Sequence, residues 1–206
     1  MTATTNDRAS LSRPESLDRL RRTSRFDLLV VGGGATGLGV ALDAATRGLS
    51  VALLERDDFA KGTSSRATKL VHGGVRYLAQ GNLGLVREAL RERKAILGNA
   101  PHLAQPLSFL VPAFGLKGRF WDRPFYASGL MMYGLLAGKA GLGDTHLLNR
   151  AETIATMPGV RTDELVGAVQ YWDGQFDDAR LAVALARTAA AHGAVVLNHC
   201  PVLGLL

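Results

Sequence analysis

Hydrophobic and polar positions follow three rhythms along this chain. From Phe26 to Val31 the residues FDLLVV make a short, nearly unbroken apolar run, as expected of a buried parallel strand. The run ends in GGGATG, Gly32 to Gly37, and an alanine-rich helical pattern continues to Arg47. Gly48 stops that helix, and Val51 to Glu55 predicts a second strand. Strand, glycine turn, helix, strand is the start of a βαβ unit.

A second rhythm, with helical period, runs from Asn82 to Leu97. Leu83, Val86, Leu90 and Leu97 fall on one side, and Arg87, Arg91, Arg93 and Lys94 are expected on a solvated face, with contact to acidic lipid as the alternative. Gly98 and Pro101 are expected to stop this helix. Phe109 to Pro112 opens a stretch without clear regularity. Phe125 to Gly138 then runs fourteen residues without a charge, too short to span a bilayer as a helix. It reads as a core or interdomain helix; an interfacial helix flanked by Lys117, Arg119, Arg123 and Lys139 is the alternative.

The third rhythm returns to strand and helix. Val166 to Tyr171 predicts a strand of a second sheet. Asp177 or Asp178 is placed to N-cap a helix from Ala179 to His192, which Gly193 ends. Ala194 to Leu197 predicts a strand that rejoins the first sheet. Trp121 and Trp172 read as packing residues, and Cys200 as a small buried side chain.

Composition narrows the function classes only slightly. The 206 residues are 47% hydrophobic and 20% charged, enough for one sizeable core or one domain and part of another. A net charge of +6 suits anionic partners such as phosphates, phosphorylated metabolites or acidic lipid. No zinc spacing, basic zipper or RNP-like aromatic motif argues for nucleic acid. One cysteine excludes an intramolecular disulfide framework. The five histidines at 72, 102, 146, 192 and 199 show no metal-ligand spacing. Residues 1–25 carry six arginines and no apolar signal core, and read as a mobile basic leader. Within it, Ser12-Arg13-Pro14-Glu15 has capping-box spacing, which allows a short helix from Glu15 to Arg22.

The glycine turn carries the chemistry. Gly32, Gly34, Gly37, Ala41, Gly48, Val51 and Glu55 fill the long pattern GxGxxGxxxAxxxxxxGxxVxxxE without a gap. Gly32 permits the tight turn, Gly34 lets the backbone approach a pyrophosphate, and Gly37 and Ala41 let helix lie close on strand. The helix N-terminus at Ala35 and Thr36 offers N–H groups and a positive dipole end to phosphates. Glu55 can accept from both ribose hydroxyls. Arg56, next to it, would suit a 2′-phosphate, but Glu55 favours an unphosphorylated ribose. After this unit an NAD-type fold would continue into another strand and helix; here Asp57 to Tyr77 is a long connection instead. Its hydroxyls, glycines and N–H groups can line a cofactor that extends past the pyrophosphate.

These residues resemble a known family. The glycine motif with Asp43 and Arg47-Gly48, then Thr63-Ser64-Ser65 and Lys69 to Leu78 (KLVHGGVRYL), is similar to FAD-dependent glycerol-3-phosphate dehydrogenases. Trp172-Asp173-Gly174-Gln175 with Asp177-Asp178-Ala179-Arg180 resembles that family's second landmark, so the likeness runs from about Phe26 to the C-terminus. Leu38 departs from it, since the family has a smaller residue after the third motif glycine. The resemblance implies an α/β chain with a Rossmann-like FAD-binding domain of the DAO type and the beginning of an α+β substrate domain. Residues 26–108 would be the first part of the FAD-binding domain, 109–175 the start of the substrate domain, and 176–206 the return to the first.

The implied chemistry is oxidation of sn-glycerol 3-phosphate to dihydroxyacetone phosphate, with hydride passing from C2 to flavin N5 and electrons onward to a quinone. The resemblance places Thr63, Ser64, Ser65, Lys69 and Leu70 along FAD, and His72, Gly73 and Gly74 beside its redox ring. Val202 is expected near the adenine through its backbone. Arg76 faces the substrate, where a guanidinium suits a phosphate; a surface ion pair is its other reading. His72 suits general base work or stabilisation of reduced flavin, and equally a bond to a backbone carbonyl. Lys69 either serves cofactor phosphates or is solvated. Family members are much longer, so the chain reads as an N-terminal portion. The expected setting is cytoplasmic, with peripheral attachment to the inner face of the cell membrane, and a homodimer is compatible with it. The related oxidase, another FAD-linked amine or hydroxy-acid oxidoreductase, and a non-catalytic nucleotide-binding remnant stand as alternatives.

Overall fold

A computed structural model describes residues 12–74, 77, 80–115 and 141–204. Within them the chain divides into two compact units, one of residues 12–69 and 177–204, the other of residues 70–176.

The first unit is built on a parallel sheet of β1 (Leu28–Val31), β2 (Val51–Leu54) and β7 (Val195–Leu197), in the order β1-β2-β7. Pairing is in continuous register, Leu28 with Val51 through Val31 with Leu54, and Ala52 with Val195 through Leu54 with Leu197. The strand expected near Ala194 thus rejoins the first sheet. Alternation decides what each face buries. Val30, Val51, Leu53 and Val196 face one core, filled by α2 (Ala35–Thr46) and α5 (Asp178–Ala191). The helices meet through Leu38, Ala41, Ala44 and Ala45 against Ala182, Ala186, Ala189 and Ala190, small side chains that let them lie close. Leu38, the departure from the resemblance, is fully buried there.

The other face carries Ala52, Val195 and Leu197, and is covered by α1 (Arg13–Arg22) through Leu17 and Leu20. This corrects the expectation of a mobile leader for residues 12–25. Pro14 lies in the first turn of α1, where its missing N–H costs nothing. Two arginines then fasten the helix to the ends of β7. Arg13 Nη2 donates to the His199 carbonyl at 3.1 Å and Arg19 Nη2 to the Gly193 carbonyl at 2.6 Å. Residues 1–11 lie outside the described residues.

The second unit is an antiparallel sheet around the long strand β6 (Leu165–Phe176). β4 (Ala104–Phe114) pairs along its whole length, from Ala104 with Phe176 to Phe114 with Leu165, with a bulge between Ala113 and Phe114. Along its other side β6 pairs with β3 (Leu70–Val71) and β5 (His146–Asn149). Phe109 and Pro112, expected in an irregular stretch, therefore sit in a regular strand. Two prolines, Pro106 and Pro112, are tolerated because β4 is an edge strand among the described residues, where a missing N–H breaks no second ladder. α3 (Leu83–Asn99) is capped by Asn82, whose side chain accepts from the Leu85 N–H at 3.1 Å. α4 (Arg150–Thr156) starts with an Asn149–Glu152 capping box.

Three expectations change here. Gly98 lies inside α3, which ends only at Asn99. Arg93, expected on the solvated face with Arg87, Arg91 and Lys94, is buried at 1% exposure. Residues 70–108, expected with the first unit, group with the second, because β3 and β4 both pair with β6. The uncharged run Phe125–Gly138, with Trp121 and its flanking cations, lies outside the described residues.

Candidate functional site

In the first unit the site grows from the turn between β1 and α2. Gly32 has φ +108, a conformation open to glycine and strained for other residues. Its N–H donates to the Leu54 carbonyl at 2.9 Å, so the turn begins as an extension of the sheet. At Gly37 the constraint is contact: a Cβ there would lie 2.0 Å from the Gly32 carbonyl oxygen. The helix therefore rests directly on the turn. Ala35, Thr36 and Gly37 open α2, in the first turn where helical geometry gives N–H groups no intrahelical acceptor. One is taken by Ser64, whose hydroxyl accepts from the Ala35 N–H at 2.9 Å.

Glu55, just past β2, locks the turn from the other side. One carboxylate oxygen accepts from the Gly33 N–H at 2.6 Å and the other from the Asp57 N–H at 2.7 Å. Its own backbone bridges to the third strand, N–H to the Leu197 carbonyl at 2.8 Å and carbonyl from the Cys200 N–H at 2.7 Å. Both charge-assisted bonds fix the carboxylate at the end of the sheet, and each oxygen keeps acceptor capacity for a hydroxyl. Arg56, whose charge could suit a 2′-phosphate, is largely exposed and lies 3.2 Å from Asp57. Asp57 also takes Lys61 at 3.0 Å, and the Lys61 bond holds its carboxyl below the usual carboxylate range.

The stretch after β2 folds back over this turn. Thr63–Ser65 form a short 3₁₀ turn, Ala60 N–H donates to the Gly33 carbonyl at 2.8 Å, and Ser65 Oγ donates to the Ala60 carbonyl at 2.6 Å. A cleft of about 530 Å³ runs beside Gly34, Glu55, Arg56, Thr63, Ser64 and Arg66. A second, of about 420 Å³, lies along Gly32, Gly34, Ala35, Thr36, Gly37 and Ser64. Gly34 and Ser64 line both. Helix-terminal N–H groups, a close-approach glycine turn and a fixed carboxylate are the donor and acceptor set that could hold a pyrophosphate and ribose. The residues thus fit an adenine dinucleotide.

Lys69 neither reaches into these clefts as a lining residue nor is simply solvated. It donates to the Ser65 carbonyl at 2.8 Å and pairs with the buried carboxylate of Asp178, at the start of α5. Its backbone is left-handed, φ +62. Of the two candidate caps, Asp177 is the one that caps, accepting from the Arg180 N–H at 3.0 Å. Val202 lies half-buried past β7, outside any helix or strand, and lines neither cleft.

The remaining candidates belong to the second unit. Leu70 is in β3, paired with Gln175. His72 is exposed and Gly73 buried, its N–H donating to Asp173 Oδ1 at 3.1 Å. Gly74 has φ +79, and a Cβ there would meet the Tyr77 ring at 2.8 Å. Asp173 itself pairs with Arg93 at 2.9 Å, a link that sequence reading missed. The signal available was Asp173 standing in a strand otherwise apolar or uncharged. Arg76 lies outside the described residues. Among the described residues no group of His, Cys, Asp and Glu could hold a metal, and no helix is long and apolar enough to cross a membrane.

Comparisons with known proteins agree on the type of fold. The family model described as DAO, FAD dependent oxidoreductase, matches residues 27–206. Mitochondrial glycerol-3-phosphate dehydrogenase of Mus musculus is 48% identical over 202 residues, covering 95% of this chain and 27% of that protein. Its counterpart from Saccharomyces cerevisiae is 46% identical, covering 95% of this chain and 31% of that one. The chain therefore spans less than a third of the length of these relatives. Among solved structures, glycerol-3-phosphate dehydrogenase from Bacillus halodurans complexed with FAD superposes with a TM-score of 0.64 at 34% identity, over 93% of this chain and 30% of that one. L-alpha-glycerophosphate oxidase from Mycoplasma pneumoniae, at 22% identity and TM-score 0.63, shares the fold.

Proposed function

The chain belongs to the DAO family of FAD dependent oxidoreductases, and on that premise we propose that it carries the cofactor-gripping part of an enzyme that oxidises sn-glycerol 3-phosphate to dihydroxyacetone phosphate. The observation that carries the cofactor half is the locked turn. Gly33 and Asp57 N–H groups converge on Glu55, while Gly37 seats the N-terminus of α2 on Gly32. The substrate half is supported by kinship with proteins named glycerol-3-phosphate dehydrogenase, 46–48% identical across 95% of this chain.

In this reading the first turn of α2 binds the pyrophosphate, and Glu55 takes the adenosine ribose. Thr63, Ser64 and Ser65 line the cofactor beyond the phosphates. Ser64 Oγ, which sits on the Ala35 N–H, is placed to exchange that partner for a phosphate oxygen. When bound, FAD supplies the hydride acceptor. Arg76 is assigned to the substrate phosphate, where a planar guanidinium can bind bidentately. His72, an exposed residue, is assigned to the hydroxyl proton at C2. Lys69 is a structural partner of Asp178 that shapes the lining segment. The proposed electron acceptor is a quinone reached by peripheral contact with a membrane, and oxygen is the alternative, as in the oxidase that shares the fold.

The test uses the full-length polypeptide purified from a flavin-replete host. It should carry FAD with an oxidised flavin spectrum, and anaerobic sn-glycerol 3-phosphate should bleach that spectrum. A colourless protein that refuses added FAD refutes the cofactor assignment. A yellow protein unreduced by this substrate, yet reduced by an amine or another hydroxy acid, refutes the substrate. Reoxidation of the reduced protein by a quinone analogue rather than by air separates the two acceptors.

A further inference from the structure

Two stretches that read separately in the sequence meet at one oxygen. Asp173 Oδ1, on β6, accepts from the Gly73 N–H at 3.1 Å, from the Gly174 N–H at 3.0 Å and from Arg93 Nη1 at 2.9 Å. Both charged side chains are withdrawn from water, Arg93 at 1% and Asp173 at 3% exposure. Desolvating such a pair offsets most of its Coulomb attraction, and apolar replacements of similar volume are often as stable. Stability alone is a poor account of its presence.

Its position offers a better one. The carboxylate joins α3, β6 and the backbone that leaves β3. A Cβ at Gly174 would lie 2.9 Å from the Val71 carbonyl oxygen, so β6 and β3 are drawn together where the loop begins. A Cβ at Gly74 would meet the Tyr77 ring at 2.8 Å, so the loop is confined at its far side as well. The Gly73 N–H belongs to the peptide that joins it to His72. Because that peptide is planar, a bond that aims the N–H also aims the His72 carbonyl and anchors its Cα.

We propose that Asp173, held by Arg93, is a positioning residue that sets the His72–Gly73 peptide. This rests on the function proposed above, in which His72 to Gly74 is the segment beside the redox ring. An ionised acceptor gives a stronger bond than a neutral one, and the guanidinium keeps the acceptor aimed.

The test compares wild type, Asp173→Asn and the double variant Asp173→Asn/Arg93→Met in the full-length, FAD-loaded protein. Asp173→Asn keeps the shape but removes the carboxylate that faces Arg93; the double variant removes both charges and is expected to fold even where the single one does not. Hydrogen exchange at the Gly73 amide should be about tenfold faster in either variant that folds. Flavin reduction by sn-glycerol 3-phosphate should slow on the order of 10²-fold with KM and flavin content unchanged. A double variant that folds with wild-type Gly73 protection and a wild-type reduction rate overturns the proposal. If wild type is not reduced by this substrate at all, the functional reading fails by itself. The exchange measurement then decides the positioning role, with unchanged protection overturning it.

Discussion

Gly37→Ala probes the joint on which the cofactor site depends. The added Cβ would lie 2.0 Å from the Gly32 carbonyl oxygen, 3.2 Å from its carbonyl carbon and 3.3 Å from Val30 Cγ1. Ordinary contact begins near 3.4 Å, so helix and turn must separate by about 1.4 Å. The obstacle is backbone that is itself bonded into the sheet through Gly32 N–H and Leu54. Overpacking of this kind costs about 1–3 kcal/mol, and rigid backbone puts the expected value at or above the top of that range. A retreat beyond 1 Å also withdraws the first N–H groups of α2 from the pyrophosphate, which should lower FAD affinity on the order of 10²-fold. Gly39→Ala, two residues on in the same helix, is the control, since its Cβ meets nothing within 4 Å. It should be neutral or stabilising by about 0.5–1 kcal/mol. Denaturant melts and flavin titration of the two variants give the comparison. Equal stability and equal flavin binding for Gly37→Ala and wild type would refute the contact argument.

Two further expectations come from side chains of the same unit. Lys69→Met leaves the Asp178 carboxylate, 2% exposed, without its cation, and Asp178 Oδ2 already has no partner among the described residues. Because Lys69 is itself nearly half exposed and screened, the expected loss is modest, about 1–2 kcal/mol in urea unfolding; no loss would show the pair to be incidental. Asp27 joins the starts of β1 and β2, accepting from the Ser50 hydroxyl at 2.6 Å and the Ser50 N–H at 2.8 Å. The Ser50 bonds hold its carboxyl below the usual 3.8. Its contribution is therefore present above the unfolded value and lost as pH falls through the lower folded one. Asp27→Asn should flatten the acid limb of stability below about pH 4, read from melts across pH, and an unchanged limb would show that the bonds carry no net stability.

What could be read in advance follows from the range of each interaction. The glycine turn was legible because its constraints are local: Gly32 answers to its own φ, and Gly37 to a carbonyl five residues back. Glu55 was legible in place but not in geometry, since the Gly33 and Asp57 N–H groups that orient its carboxylate are fixed by the fold of the turn. The leader misled because an arginine-rich stretch looks solvated; its fate was decided by Leu17 and Leu20 finding Ala52, Val195 and Leu197, and by carbonyls more than 170 residues away receiving Arg13 and Arg19. β4 was obscured by prolines whose cost depends on which edge of the sheet a strand occupies. Arg93 is the sharpest case. By helical period it belongs near the apolar face, yet its charge argued for water; Asp173, eighty residues on, meets it there as a buried counter-charge. A charged residue at an apolar phase, far in sequence from an isolated opposite charge in a strand, is thus a pair to look for, and the pair marks where chain segments are held together.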